Sequence, residues 1–172
     1  MTYKTVIFGE YHTVEDRNRI EEEIIRLSKI RKIDFILSEE LGPHKYFSTS
    51  DLNDGISRQM YSISDRTFKL AKLLHTPAIG IDLWSKSVYK DNKVDPKTGE
   101  FLDAVRSFKI REKYMLKIIL EYSKKGNCVV LVGDSHLRTS QTTVLGEPSI
   151  ITKTLHGNPN FVINRSPLKE VE

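Results

Sequence analysis

The chain has 172 residues, 38% of them hydrophobic and 29% charged, so it is long enough to bury one full core and too apolar for intrinsic disorder. Its 27 Lys and Arg against 23 Asp and Glu give a net charge of +4; these basic residues are scattered, with no zinc finger, RNA-recognition signature or basic helical stripe, which argues against a dedicated nucleic-acid binder. The single cysteine, Cys128, excludes an internal disulfide framework, no stretch approaches the roughly 18 apolar residues of a membrane span, and the first residues lead into a strand instead of a signal-peptide core, so a cytoplasmic protein with no membrane association is expected.

Residues 5–8 form a short β-branched and aromatic run closed by Gly9, the pattern of a buried strand. Over 14–31, Ile20, Ile24, Leu27 and Ile30 recur at helical spacing among Glu21, Glu22, Glu23 and Arg26, which predicts an amphipathic helix. A second strand is predicted over 33–37, ending at Ser38, Glu39 and Glu40 before the Gly42-Pro43 turn. Residues 44–64 are polar, aromatic and irregular; they read as a loop or short helices, with the stretch from Tyr46 to Tyr61 placed as a lid or substrate wall. A helix over 66–75 is broken at Thr76-Pro77, and a third strand over 78–81 ends at Asp82.

Residues 90–99 are rich in Asp, Asn, Lys, Pro and Gly and predict an exposed loop. The longest helix is expected over 101–125, with Phe101, Val105, Phe108, Met115, Ile118 and Ile119 among its apolar positions and Gly126-Asn127 as its stop. The strand over 129–132 is the most apolar in the chain, a short helix is expected within 144–155, and 161–163 adds an edge strand. Strands alternating with helices imply right-handed crossovers and an α/β fold: a three-layer α/β/α sandwich with a mostly parallel central sheet, in one domain spanning 1–172.

The chemistry resides in a near-duplicate. Val6 to His12 and Val130 to His136 both read strand, glycine, carboxylate, any residue, histidine. Were the chain to stay extended past each glycine, residues two apart would point the same way, and each motif would aim an acid and an imidazole into one space. The second and third strands end in acids too, at Glu39 with Glu40 and at Asp82. In an open parallel sheet these carboxyl ends face the crevice where ligands bind. A single acid after a strand is as often a helix cap as a catalyst; a cap has no use for a histidine two residues on, and the paired motifs therefore point to a site.

Gly-Glu-Tyr-His at 9–12, an acid ending the second strand, Arg111 on the long helix and Gly-Asp-Ser-His at 133–136 resemble the superfamily of erythromycin esterase, ChaN haem-binding proteins, TraB-type proteins and TIKI metalloproteases. The resemblance spans roughly residues 5–138 and rests on motif order and spacing. It implies a catalytic set of Glu10, His12, Glu39, His136 and Arg111, with Glu40 as the alternative register for Glu39, and a chain too short for the large insertions that macrolide hydrolysis needs. Two mechanisms suit that set: a histidine general base oriented by a carboxylate, or a divalent ion such as Mn²⁺ or Zn²⁺ held by Glu10, His12, Glu39, Asp134 and His136. Crowded acids favour the metal slightly, with Arg111 as the other possible compensation or as a clamp on an anionic substrate. The expected function is hydrolysis of an ester, amide or phosphate bond in a small molecule or peptide. The alternative is a ligand- or haem-binding protein, with haem on His12, His136, Tyr11 or Met115.

Overall fold

The structure is a computed structural model that describes residues 3–42, 45–50, 63–83, 97 and 104–167. Strands are β1 (Thr5–Glu10), β2 (Phe35–Ser38), β3 (Tyr46–Phe47), β4 (Ala78–Gly80), β5 (Cys128–Gly133) and β6 (Phe161–Asn164). Helices are α1 (Val14–Ile30), α2 (Asp65–Leu74), α3 (Ala104–Tyr122) and α4 (Ile150–Leu155), with a 3-10 turn over Asp134–Leu137. Among the described residues the sheet order is β3-β4-β2-β5-β1-β6, parallel throughout except for β3, which runs antiparallel to β4. This is the expected α/β fold.

The three layers follow from the two-residue alternation of the strands. Phe8, Ile36, Val129 and Leu131 pack on one face with Ile20 and Ile24 of α1 and Leu70 and Ala71 of α2. Ile7, Leu37, Val130 and Val132 pack on the other with Met115, Leu116 and Ile119 of α3 and Ile151 and Leu155 of α4. Connections towards β4 therefore use one face and those returning to β5 and β6 use the opposite face, as right-handed crossovers require. Burial on both faces explains why β5 reads as an unbroken apolar run.

Local chemistry sets the helix starts. Thr13 accepts a hydrogen bond from the Asp16 amide, Ser64 from Thr67 and Ser149 from Ile151, each satisfying one of the amides that a first turn leaves open. His75 ends α2 in the left-handed region, at φ 48°.

Several expectations are corrected. Gly9 does not close its strand but lies within it, whereas Gly133 is the last residue of β5, and the two strands pair in register with Glu10 opposite Gly133. Tyr46 and Phe47 form the antiparallel edge strand, with Phe47 fully buried in the core, so this part of the expected lid is sheet. Two residues are too few for periodicity to show. Residues 51–61 of that lid and nearly all of the 90–99 loop lie outside the described residues. Helix α4 is the short helix expected within 144–155, and an antiparallel bridge between Thr142 and Gly146 precedes it.

At Gly80 the backbone of Gly42 passes so close that a Cβ would collide with its carbonyl group. Because the obstacle is backbone, Gly80→Ala should destabilise the fold by about 1–3 kcal/mol, read as a lower urea midpoint at unchanged slope.

Candidate functional site

Carboxyl ends of β1, β2, β4 and β5 deliver the site. Alternation carries past the end of β2: Ser38 reaches Thr67 of α2 on one face (2.9 Å), Glu39 turns to the other, and Glu40 returns to the first. The buried Ser38 hydroxyl also accepts a hydrogen bond from the Glu40 amide at 3.0 Å, which fixes this corner. Glu39 and Glu40 are thus both used, in separate surroundings.

Glu10 is buried at the end of β1, and His12 Nδ1 lies 2.8 Å from its Oε1. The backbone at His12 is left-handed, with φ 59°. For a residue with a Cβ this conformation costs roughly 1–2 kcal/mol, a strain characteristic of functional positions. It folds the imidazole back over the strand end, so that Nδ1 meets Glu10 while Nε2 lies 3.4 Å from Glu39 Oε1. From the other motif, His136 brings its Nε2 to 3.9 Å from Glu39 Oε2. The two imidazoles, 124 positions apart in sequence (136 − 12), flank one carboxyl group.

Gly133 lies beneath this arrangement. A Cβ there would stand 3.3 Å from His12 Nε2 and 3.5 Å from Glu39 Oε1, so the missing side chain is what lets these groups approach the strand end. The Gly133 amide also donates a hydrogen bond to Glu39.

His136 is oriented by residues that sequence reasoning missed. Its ring stacks on Phe108 at 4.6 Å between centroids, and its Nδ1 lies 3.4 Å from Oε1 of Glu112, a buried acid of α3 that is itself paired with Arg138. Helical spacing would have put Glu112 beside Phe108 on α3, yet nothing local indicates that either faces a histidine. Arg17 and Arg66 were also missed. Arg66 pairs with Glu10, and Arg17 lies 2.9 Å from Glu40 Oε1, 3.6 Å from Glu10 Oε1 and 3.3 Å from His12 Nδ1.

The expected extended geometry of the second motif is corrected, because Asp134–Leu137 winds into a 3-10 turn and separates its acid from its histidine. Asp134 accepts hydrogen bonds from Arg165 and from the Ser166 amide (3.0 Å), while His136 turns to Glu39 and Glu112. Arg111 clamps Asp82 with two hydrogen bonds of 2.8 and 2.6 Å. It compensates that buried acid. Met115 is fully buried in the core on the α3 face of the sheet.

The electrostatics divide the acids. Burial alone would raise the pKa of Glu10, but the hydrogen bond with His12 and the charge of Arg66 outweigh it, and the carboxyl lies below its ordinary value. Burial drives Glu39 the other way, reinforced by the charge of Asp82 and only partly opposed by His136, the Gly133 amide and His12. His12 is raised by its hydrogen bond to Glu10, against burial and with help from the charge of Glu39. One donor atom each from Glu10, His12 and Glu40 lie within 4.8 Å of one another, compact enough for an ion. The guanidinium of Arg17 already touches all three.

No family model and no curated protein matches the chain. Among solved structures it is similar to the crystal structure of RRSP, a MARTX toxin effector domain from Vibrio vulnificus CMCP6, with a TM-score of 0.60 and 15% identity over 95% of this chain. The chain spans 33% of that structure's length, and at this identity the likeness shows the fold alone.

Glu10→Gln removes the group that raises His12. In a histidine NMR titration His12 of the parent protein should titrate above its ordinary 6.5, and the variant should titrate lower. By linkage, the stability contributed by His12 is complete below that ordinary value and is lost as pH rises through the raised one. The contribution of Glu10 is present above its ordinary 4.5 and is lost as pH falls through the lowered value. An unchanged His12 titration in the variant would refute the pairing.

Proposed function

We propose that Glu10, His12, Glu39 and His136 form a hydrolytic site that activates water against an ester, amide or phosphate bond in a small molecule or peptide. The observation that carries the reading is the pair of imidazole Nε2 atoms on either side of one carboxyl whose pKa burial raises. Motif order along the chain, shared with the erythromycin esterase, ChaN, TraB and TIKI superfamily, supports the same assignment. The free, buried thiol of Cys128, pushed up to about 12 by burial, suits the reducing cytoplasm in which this reading places the protein. Among the described residues no helix is long and apolar enough to cross a membrane.

The division of labour follows from the surroundings. Glu10, held ionised, fixes the tautomer and orientation of His12 through Nδ1, leaving Nε2 as the atom that removes a proton from water. Glu39 returns a proton to the leaving atom. His136, held by Glu112 and Phe108, directs its Nε2 at the same locus, where it meets developing negative charge. The reacting form carries one proton on the His12 and Glu39 pair, so the two limbs of the pH profile belong to the pair.

A second reading has its own observation. Glu10, His12 and Glu40 are close enough to hold a divalent ion in place of the Arg17 guanidinium. Such an ion would lower the pKa of bound water. Because Arg17 already supplies a cation to the same three groups, the metal-free reading is preferred.

Against a panel of ester, amide and phosphate substrates, His12→Ala and His136→Ala should each lower kcat/KM by roughly 10²- to 10⁴-fold, with activity retained in EDTA; equal activity in parent and variants would exclude the site, and loss in EDTA would select the metal reading. The kcat/KM profile should be bell-shaped, and Glu39→Gln should remove one limb along with most of the activity. Its effect on stability separates chemistry from folding. The pKa of Glu39 is raised on folding above its ordinary 4.5, so its ionised form destabilises the fold at higher pH, and the glutamine variant should melt no lower than the parent at pH ~8.

A further inference from the structure

A cleft of about 340 Å³ opens between α3 and the segment leading into α4, within the size range of small-molecule sites. None of Glu10, His12, Glu39 and His136 lines it. Its walls are apolar, from Val105 on α3 and Leu145, Pro148 and Ile150 opposite. The opposite wall is preformed, since Thr142 and Gly146 exchange backbone hydrogen bonds of 2.8 and 3.0 Å and a Cβ on Gly146 would stand 3.1 Å from Val105 Cγ1.

The charges are unevenly matched. Lys109, Lys113, Arg138 and Lys153 line the cleft against two carboxylates, Glu112 and Glu147. Arg138 is paired with Glu112, and Lys153 with Glu147 at 3.0 Å. Among the described residues no ion pair is made by Lys113 or Lys109, although the charge of Lys109 also acts on Glu147, and the two lysines stand one helical turn apart beside the apolar wall. Two cations over an apolar trough fit a ligand with one anionic end and one greasy end.

We propose that this cleft binds a small apolar carboxylate, its acid group between Lys109 and Lys113 and its hydrocarbon body against Val105, Leu145 and Ile150. The site is separate from the hydrolytic one, although Glu112 serves both: it lines this cleft and lies 3.4 Å from His136 Nδ1. Isothermal titration of the whole chain with decanoate, and with decanol as the uncharged counterpart, tests it. Decanoate should bind at least tenfold more tightly than decanol, K109E/K113E should weaken decanoate at least tenfold, and the distant K124E/K125E should leave it unchanged. K109Q/K113Q replaces the reversal should that variant unfold. Equal binding of decanoate and decanol, or equal losses in the cleft and distant variants, would overturn the proposal.

Discussion

Each buried carboxylate at the rim of this sheet must find a cation, because an unpaired charge out of water costs several kcal/mol. The chain meets that demand largely with arginine: Arg66 and Arg17 on Glu10, Arg17 on Glu40, Arg111 on Asp82, Arg138 on Glu112 and Arg165 on Asp134. Guanidinium stays protonated at any relevant pH, so the cationic half of each pair is a fixed charge. Glu39 is flanked by His12 and His136, cations only when protonated, so its ionisation is tied to theirs.

Convergence of the two distant motifs is a consequence of strand order. β5 lies between β1 and β2, in parallel register with both, so the ends of the first, second and fifth strands form one continuous edge at the middle of the sheet. Alternation then sorts the acids by face: Glu10 and Glu40 go to the α1 and α2 side, where Arg17 and Arg66 wait, and Glu39 goes to the α3 side with His136. His12 bridges the two faces only because its left-handed backbone lifts it over the end of β1.

The sequence made the strands and long helices legible because their apolar spacing reflects burial, and burial on both faces gave β5 its continuous run. It also marked the acids and histidines by their position after strands. What it could not mark were partners supplied from afar: Arg66 lies 56 residues from Glu10, and Arg138 lies 26 residues from Glu112. The alternation of β2 sends Glu39 and Glu40 to opposite faces, so these neighbouring acids meet different partners. Asp134 was misplaced for a local reason. The 3-10 turn after Gly133 replaces the extended geometry that would have kept it beside His136, and Arg165, 31 residues on, captures it.

That turn also explains how near-identical motifs yield unlike histidines. After Glu10 the chain takes a single left-handed residue and leaves His12 with its side chain 49% exposed, whereas after Asp134 it winds inward and leaves that of His136 4% exposed, against Phe108 and Glu112. An exposed ring can exchange a proton with water and meet an incoming molecule. A buried, stacked ring can do neither readily, but it keeps its orientation and acts at short range through a poorly screening medium. Two copies of one motif, differing in a few backbone angles, thereby present one exposed and one buried imidazole to the same carboxyl group.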